Sequence, residues 1–160
     1  MQEKNLIDEF YMSFAMAEAR LAEELDEVPV GCVIVKDGKI IARGHNMREE
    51  NKCATHHAEI IAIEEACRSL GGWRLPGTTL YVTMEPCCMC AGAIVNARIE
   101  RVVYGAPDLR FGAMGSLFDI TRFPLNHIPE CLGGVKRDEC VEILSRYFKG
   151  KREKSKNEIL

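Results

Sequence analysis

The run VPVGCVIVKDGKIIARGHN at residues 28–46 constrains this chain most. Two stretches rich in β-branched residues flank Asp37-Gly38. An Asp-Gly pair readily supplies the left-handed backbone that a two-residue hairpin turn requires. The first stretch is almost unbroken apolar sequence, whereas a strand with one wet face alternates. It predicts a strand covered on both faces, and so a sheet with a layer on each side.

The rest of the pattern supplies those layers. Ile7, Phe10, Phe14, Ala17, Leu21 and Leu25 recur at threes and fours and predict an opening helix on that apolar stripe. Residues 46–56 are polar and read as loop. A second helix starts at His57, with Ile60, Ile61, Ile63, Ala66, Cys67 and Leu70 as its apolar positions, and Gly71-Gly72 stop it. A strand follows at 79–83, and Pro86 suits the first position of a third helix reaching about residue 96. Residues 101–104 form another strand, and 105–116 a glycine-rich loop. After a weakly patterned stretch broken by Pro124 and Pro129, a short edge strand is expected near 130–132. A last helix at 138–150 presents Val141, Leu144, Tyr147 and Phe148, and leaves 150–160 as a flexible basic tail. Strands alternating with helices after a hairpin give a three-layer α/β/α fold with a mixed central sheet. The 160 residues fit one domain spanning 1–160.

Composition excludes more than it selects. At 47% apolar and 28% charged residues the chain is unlike disordered or fibrous sequences. Its longest apolar runs, such as 30–35 and 91–95, fall far short of a membrane span. Residues 1–10 lack the apolar core of an export signal, so a cytoplasmic location is expected. Eight cysteines would suit a disulfide framework in an exported protein, but three of them, Cys87, Cys88 and Cys90, crowd into four positions. Metal binding or redox chemistry is the better reading in a reducing compartment, with Cys32 and Cys67 as core thiols.

Two segments carry the chemistry: His57-Ala58-Glu59 and Pro86-Cys87-Cys88-Met89-Cys90. Taken alone, the CxxC is open to a thioredoxin-like redox role, a metal role or plain packing. Combined with HxE on a separate helix it points to metal. Cys87 and Cys90 lie three apart, so one helical turn aims both sulfurs the same way. A helix N-terminus favours their thiolates. Two thiolates and a neutral imidazole make a net-neutral Zn²⁺ centre, one per chain, with a fourth position open for water. Glu59, two residues beyond His57, is placed to shuttle a proton to and from that water.

These residues resemble the zinc-dependent cytidine deaminase superfamily, whose signature is H-x-E…P-C-x-x-C. Flanking stretches make the chain similar to the bacterial tRNA-specific adenosine deaminases. They are EVPVG at 27–31, HN at 45–46, THHAEI at 55–60 and WRLPGTTLYVTMEPCCMCAGAIVNARIERVVYGAPD at 73–108, with GSL, NH and the C-terminal segment beyond. The resemblance implies the cytidine-deaminase-like fold and a homodimer. It also implies conversion of the wobble adenosine of a tRNA anticodon loop to inosine, with release of ammonia. It assigns zinc to His57, Cys87 and Cys90, proton transfer to Glu59, and substrate contacts to Asn46, the Ala58 backbone N–H, Asp108 and Arg110. The loop PDLRFGAMG at 107–115 departs from that family's pattern. Deamination of a free nucleobase or nucleoside, of guanine, adenosine or cytosine type, is the alternative.

Charge bears on the same choice. The net charge is -3, yet residues 1–27 hold eight acidic and two basic groups, while 145–157 hold six basic and one acidic. A local cationic patch can steer a polyanion although the total is negative. Arg146, Lys149, Lys151 and Arg152 are therefore candidate RNA-backbone contacts. The apolar residues Met114, Leu117 and Phe118 are candidates for an exposed dimer surface.

Overall fold

The computed structural model describes residues 2–158. Helix α1 (Gln2–Glu24) precedes the hairpin β1 (Gly31–Lys36) and β2 (Lys39–His45). Then follow α2 (Ala58–Leu70), β3 (Thr78–Met84), α3 (Cys88–Ala97), β4 (Arg101–Ala106), a 3-10 turn at Ile120–Arg122, β5 (Glu130–Gly133) and α4 (Arg137–Asn157). The sheet order is β2-β1-β3-β4-β5. β1 is antiparallel to both neighbours, while β3, β4 and β5 run parallel. The expected mixed sheet is present, and Asp37 and Gly38 both adopt positive φ at the hairpin turn.

β1 is buried on both faces. Cys32 and Ile34 join the core beneath α2 and α3, and Val33 and Val35 join the core beneath α1 and α4. The α/β/α layering follows from that alternation. All eight cysteines are unpaired, with Cys32 fully buried and Cys67 only partly so. No helix among the described residues is long and apolar enough to cross a membrane.

The helix faces correct the apolar-stripe reading. In α1 the buried positions are Asp8, Met12, Ala15, Met16, Glu18, Ala19 and Ala22, while Ile7, Phe10, Leu21 and Leu25 are exposed. Close backbone contact decides this rotation. Gly31 lies against the helix, where a Cβ would overlap the Ala15 carbonyl and the Ala19 amide. Small alanines let that approach happen. The two buried acids are matched: Asp8 takes a bidentate pair from Arg101 at 2.6 and 2.8 Å and a hydrogen bond from Tyr81. Glu18 meets His45 Nδ1 at 2.9 Å. The same device turns α2, where Ala58, Ala62 and Ala66 face Gly44 and the core, and Leu70 stays exposed.

Helix α4 also differs from expectation. Cys140, Ile143 and Leu144 are its buried residues, and Val141 and Phe148 are substantially exposed. It continues to Asn157, so the stretch expected as a flexible tail after Gly150 is helical through that residue; residues 159–160 lie outside those described. Two cations tie α4 to the acidic end of α1 and the turn after it: Arg146 to Glu23 at 2.8 Å and Lys151 to Asp26 at 2.6 Å.

Candidate metal centre and its cavity

Both halves of the chemical signature sit at helix starts. His57 is the N-cap of α2 and Cys87 the N-cap of α3, each with extended backbone and no side-chain capping bond. N-cap side chains commonly fold back onto the first-turn amides; these two are left free to act as donors elsewhere. Pro86 therefore stands one residue outside α3, not at its first helical position, and Cys88 takes that place. Cys90, one turn in, is fully buried. The loop leading to His57 is tied down by Glu50 N–H donating to the buried Glu27 at 2.8 Å and by Met47 N–H donating to the His56 carbonyl at 3.1 Å.

The donor set fits zinc. His57 Nδ1 lies 3.6 Å from Cys87 Sγ and 3.5 Å from Cys90 Sγ. Tetrahedral zinc with ordinary Zn–N and Zn–S bond lengths places nitrogen and sulfur about 3.6 Å apart. The three are the one cluster of potential metal-ligating side chains among the described residues whose donor atoms all approach within 4.8 Å. Protons are shared among them. Hydrogen bonds from Cys90 and His57 hold the Cys87 thiol down at about 4. The Cys87 sulfur, followed by burial, pushes Cys90 up. The hydrogen bond to Cys87 also raises His57. Helix N-termini add to the stabilisation of thiolate here.

Glu59, in the first turn of α2, is 3% exposed. Burial pushes its carboxyl up to about 7, so near neutral pH it can both hold and release a proton. It lines a cavity of about 370 Å³ together with His57 and Cys87. That cavity also brings together Asn46, Ala58, Asp108 and Arg110, all four small-substrate candidates from the sequence. Asn46 is 6% exposed, and its Oδ1 has no hydrogen-bond partner. A buried acceptor left unmet is costly, so this atom is poised for a ligand donor. Asp108 Oδ1 accepts from the backbone of Arg110 and Phe111, which fixes the turn at the cavity rim.

The RNA-contact candidates divide. Arg146 and Lys151 are engaged by Glu23 and Asp26. Lys149 and Arg152 are exposed and in none of the ion pairs found among the described residues. Met114 is buried, which removes it from the expected apolar surface, whereas Leu117 and Phe118 are exposed. Sequence reading missed Glu85 and Arg48 in the cavity wall, and it took Phe148 for a core position. Of these only Glu85 carried a signal, as an acid immediately before Pro86-Cys87. A larger open groove, of about 680 Å³, runs between α1 and the sheet beside the Asp8–Arg101 pair, away from these ligands.

Comparison with known proteins places the chain among zinc-binding deaminases. Residues 6–106 match the cytidine and deoxycytidylate deaminase zinc-binding region. The chain is 50% identical over 150 residues to the tRNA-specific adenosine deaminase of Bacillus subtilis, covering 93% of each. It is 48% identical to that of Streptococcus pyogenes, covering 92% of this chain and 94% of the relative. Among solved structures, one from work on A-to-I editing by tRNA:A34 deaminases superimposes with a TM-score of 0.81 at 48% identity, over 84% of this chain and 99% of the other. The guanine deaminase of Nitrosomonas europaea gives 0.74 at 26% identity, over 87% and 83%. With its zinc-ligand geometry and near full-length similarity, the chain belongs to the tRNA-specific adenosine deaminase family, within the zinc-binding cytidine and deoxycytidylate deaminases.

Proposed function

We propose that this protein deaminates adenosine to inosine at the wobble position of a tRNA anticodon loop, consuming water and releasing ammonia. The observation that carries this reading is one cavity in which His57, Cys87 and Glu59 meet Asn46 and the rim residues Asp108 and Arg110. His57 Nδ1 and the sulfurs of Cys87 and Cys90 hold one zinc per chain. When bound, zinc supplies a Lewis acid that makes a water acidic enough to act near neutral pH. Glu59 takes one proton of the water that adds at C6 of the purine and passes it to ring N1. It then carries the second water proton from the new C6 hydroxyl to the departing amine, which leaves as ammonia as the C6 carbonyl forms. Asn46 Oδ1 and the N–H of Ala58 orient the base, which leaves the anticodon loop to enter the cavity.

Lys149 and Arg152 provide the cationic approach for the backbone, and the tRNA is the polyanionic partner. Exposed Leu117, Phe118, Phe123 and Ile128 form the apolar surface of a homodimer. Unpaired cysteines and thiolate ligands suit a reducing, cytoplasmic setting. One domain spans residues 1–160 in this reading.

The test is a substrate panel: tRNA, an anticodon stem-loop, adenosine, guanine, guanosine and cytidine, with ammonia and product identity recorded. Inosine formed in tRNA, with slow or absent turnover of the small molecules, is the expected result. Efficient deamination of guanine or a free nucleoside, with no inosine in a full tRNA pool, overturns it.

A further inference from the structure

We infer that Glu85 is the positioning residue on which the substrate-facing loop at 107–116 is built. The inference rests on the RNA reading above and deepens it. The Glu85 side chain is 3% exposed and accepts four hydrogen bonds, all from this one loop. Oε1 takes the N–H groups of Met114 and Ser116, each at 3.0 Å. Oε2 takes the Asp108 N–H at 3.0 Å and the Ser116 hydroxyl. No cation pairs with it among the described residues.

The same short segment also carries the metal ligand. Ala113 N–H donates to the Pro86 carbonyl at 2.9 Å, and Cys87 and Gly112 form a β-bridge. A Cβ on Gly112 would overlap the Glu85 carboxylate and the Asp108 carbonyl, so the loop must lie flat against it. Residues 85–87 thus fix two things at once: the sulfur at the reacting centre, and the loop that presents Asp108, Arg110 and Phe111 at the cavity rim. The separation between the target base and the contacts to its flanking nucleotides is set by this carboxylate. Glutamine substitutes poorly, because whichever end its amide nitrogen occupies would face at least one backbone N–H that needs an acceptor.

The experiment compares the zinc-loaded wild type with Glu85→Gln, Ser116→Ala and Gly112→Ala on an anticodon stem-loop. Kinetics, zinc content, melting temperature and amide hydrogen exchange are read together. For Glu85→Gln, KM should rise about tenfold, the scale of a lost charge-assisted hydrogen bond, while kcat falls by less than about threefold. Exchange at Asp108, Met114 and Ser116 should accelerate selectively, with zinc retained. Ser116→Ala should move KM and exchange in the same direction by about threefold, and Gly112→Ala should resemble Glu85→Gln. If Glu85→Gln fails to fold, the other two variants decide on the same readouts. Unchanged KM with unchanged exchange at those amides overturns the inference, as does a kcat loss without a KM change. A wild type inactive on the stem-loop overturns the RNA reading instead, and the exchange measurements still test the clamp.

Discussion

The two faces of the sheet solve the same packing problem with different chemistry. On the α2/α3 face the buried side chains are almost all apolar, with Ala58, Ala62, Ala66, Ala91, Ile94 and Ala97 against Ile34, Leu80 and Val102. Glu59, at the start of α2, is a buried carboxyl at the edge of this face. On the α1/α4 face the buried acids Asp8 and Glu18 are met by Arg101, Tyr81, His45 and Arg43. One face buries the Glu59 carboxyl without an ion pair; the other pairs its buried carboxylates with cations and hydrogen-bond donors. The contrast shows how burial alone does not make a functional acid. What matters is which cations and hydrogen-bond donors are packed beside it.

The largest effect expected on this contrast comes from removing a metal ligand. Cys87→Ala or His57→Ala should abolish zinc retention and reduce turnover by more than about 10³-fold, since two remaining ligands hold zinc weakly; elemental analysis and single-turnover assays measure both. Breaking the ion-paired face should do the reverse. Asp8→Ala should lower stability by about 2–3 kcal/mol, short of the cost of a fully buried pair because Arg101 keeps Glu130. Chemical denaturation reads this, and zinc content should not change. Glu59→Gln is expected to keep fold and zinc while losing at least about 10² in kcat; more than a tenth of wild-type turnover would remove Glu59 from proton transfer. The smallest effect distinguishes cations on α4. Lys149→Ala with Arg152→Ala should flatten the salt dependence of RNA binding by about 1.4 in log–log slope, from two single-strand phosphate contacts. Arg146→Ala with Lys151→Ala should barely alter that slope, because both cations are already held by Glu23 and Asp26.

Much of the site was legible because its residues fall in two short motifs, each at a helix start that fixes their local geometry. Cys87 and Cys90 share a turn, and HxE opens a helix after a loop, so the donor set could be named without a structure. The doubly covered β1 strand was legible for a similar reason: a continuous apolar run leaves little choice of environment. Helix faces were less readable. Large apolar residues in α1 suggested one stripe, whereas alanines facing Gly31 and acids facing distant partners chose another. The pairing of Asp8 with Arg101 spans 93 residues, beyond any local pattern.

The sequence by itself determined the layered α/β architecture, the hairpin turn and the identity of the zinc donors, because each can be read from periodicity within elements and from short motifs at element starts. Only the tertiary structure decided which face of α1 is buried, that α4 runs helical past Gly150, and that two of its cations pair with Glu23 and Asp26. It alone showed Glu85 gathering the loop at 107–116 onto the metal-bearing segment. These are choices of partner between distant segments, set by close backbone approach at glycine and alanine and by buried charges that must find hydrogen bonds.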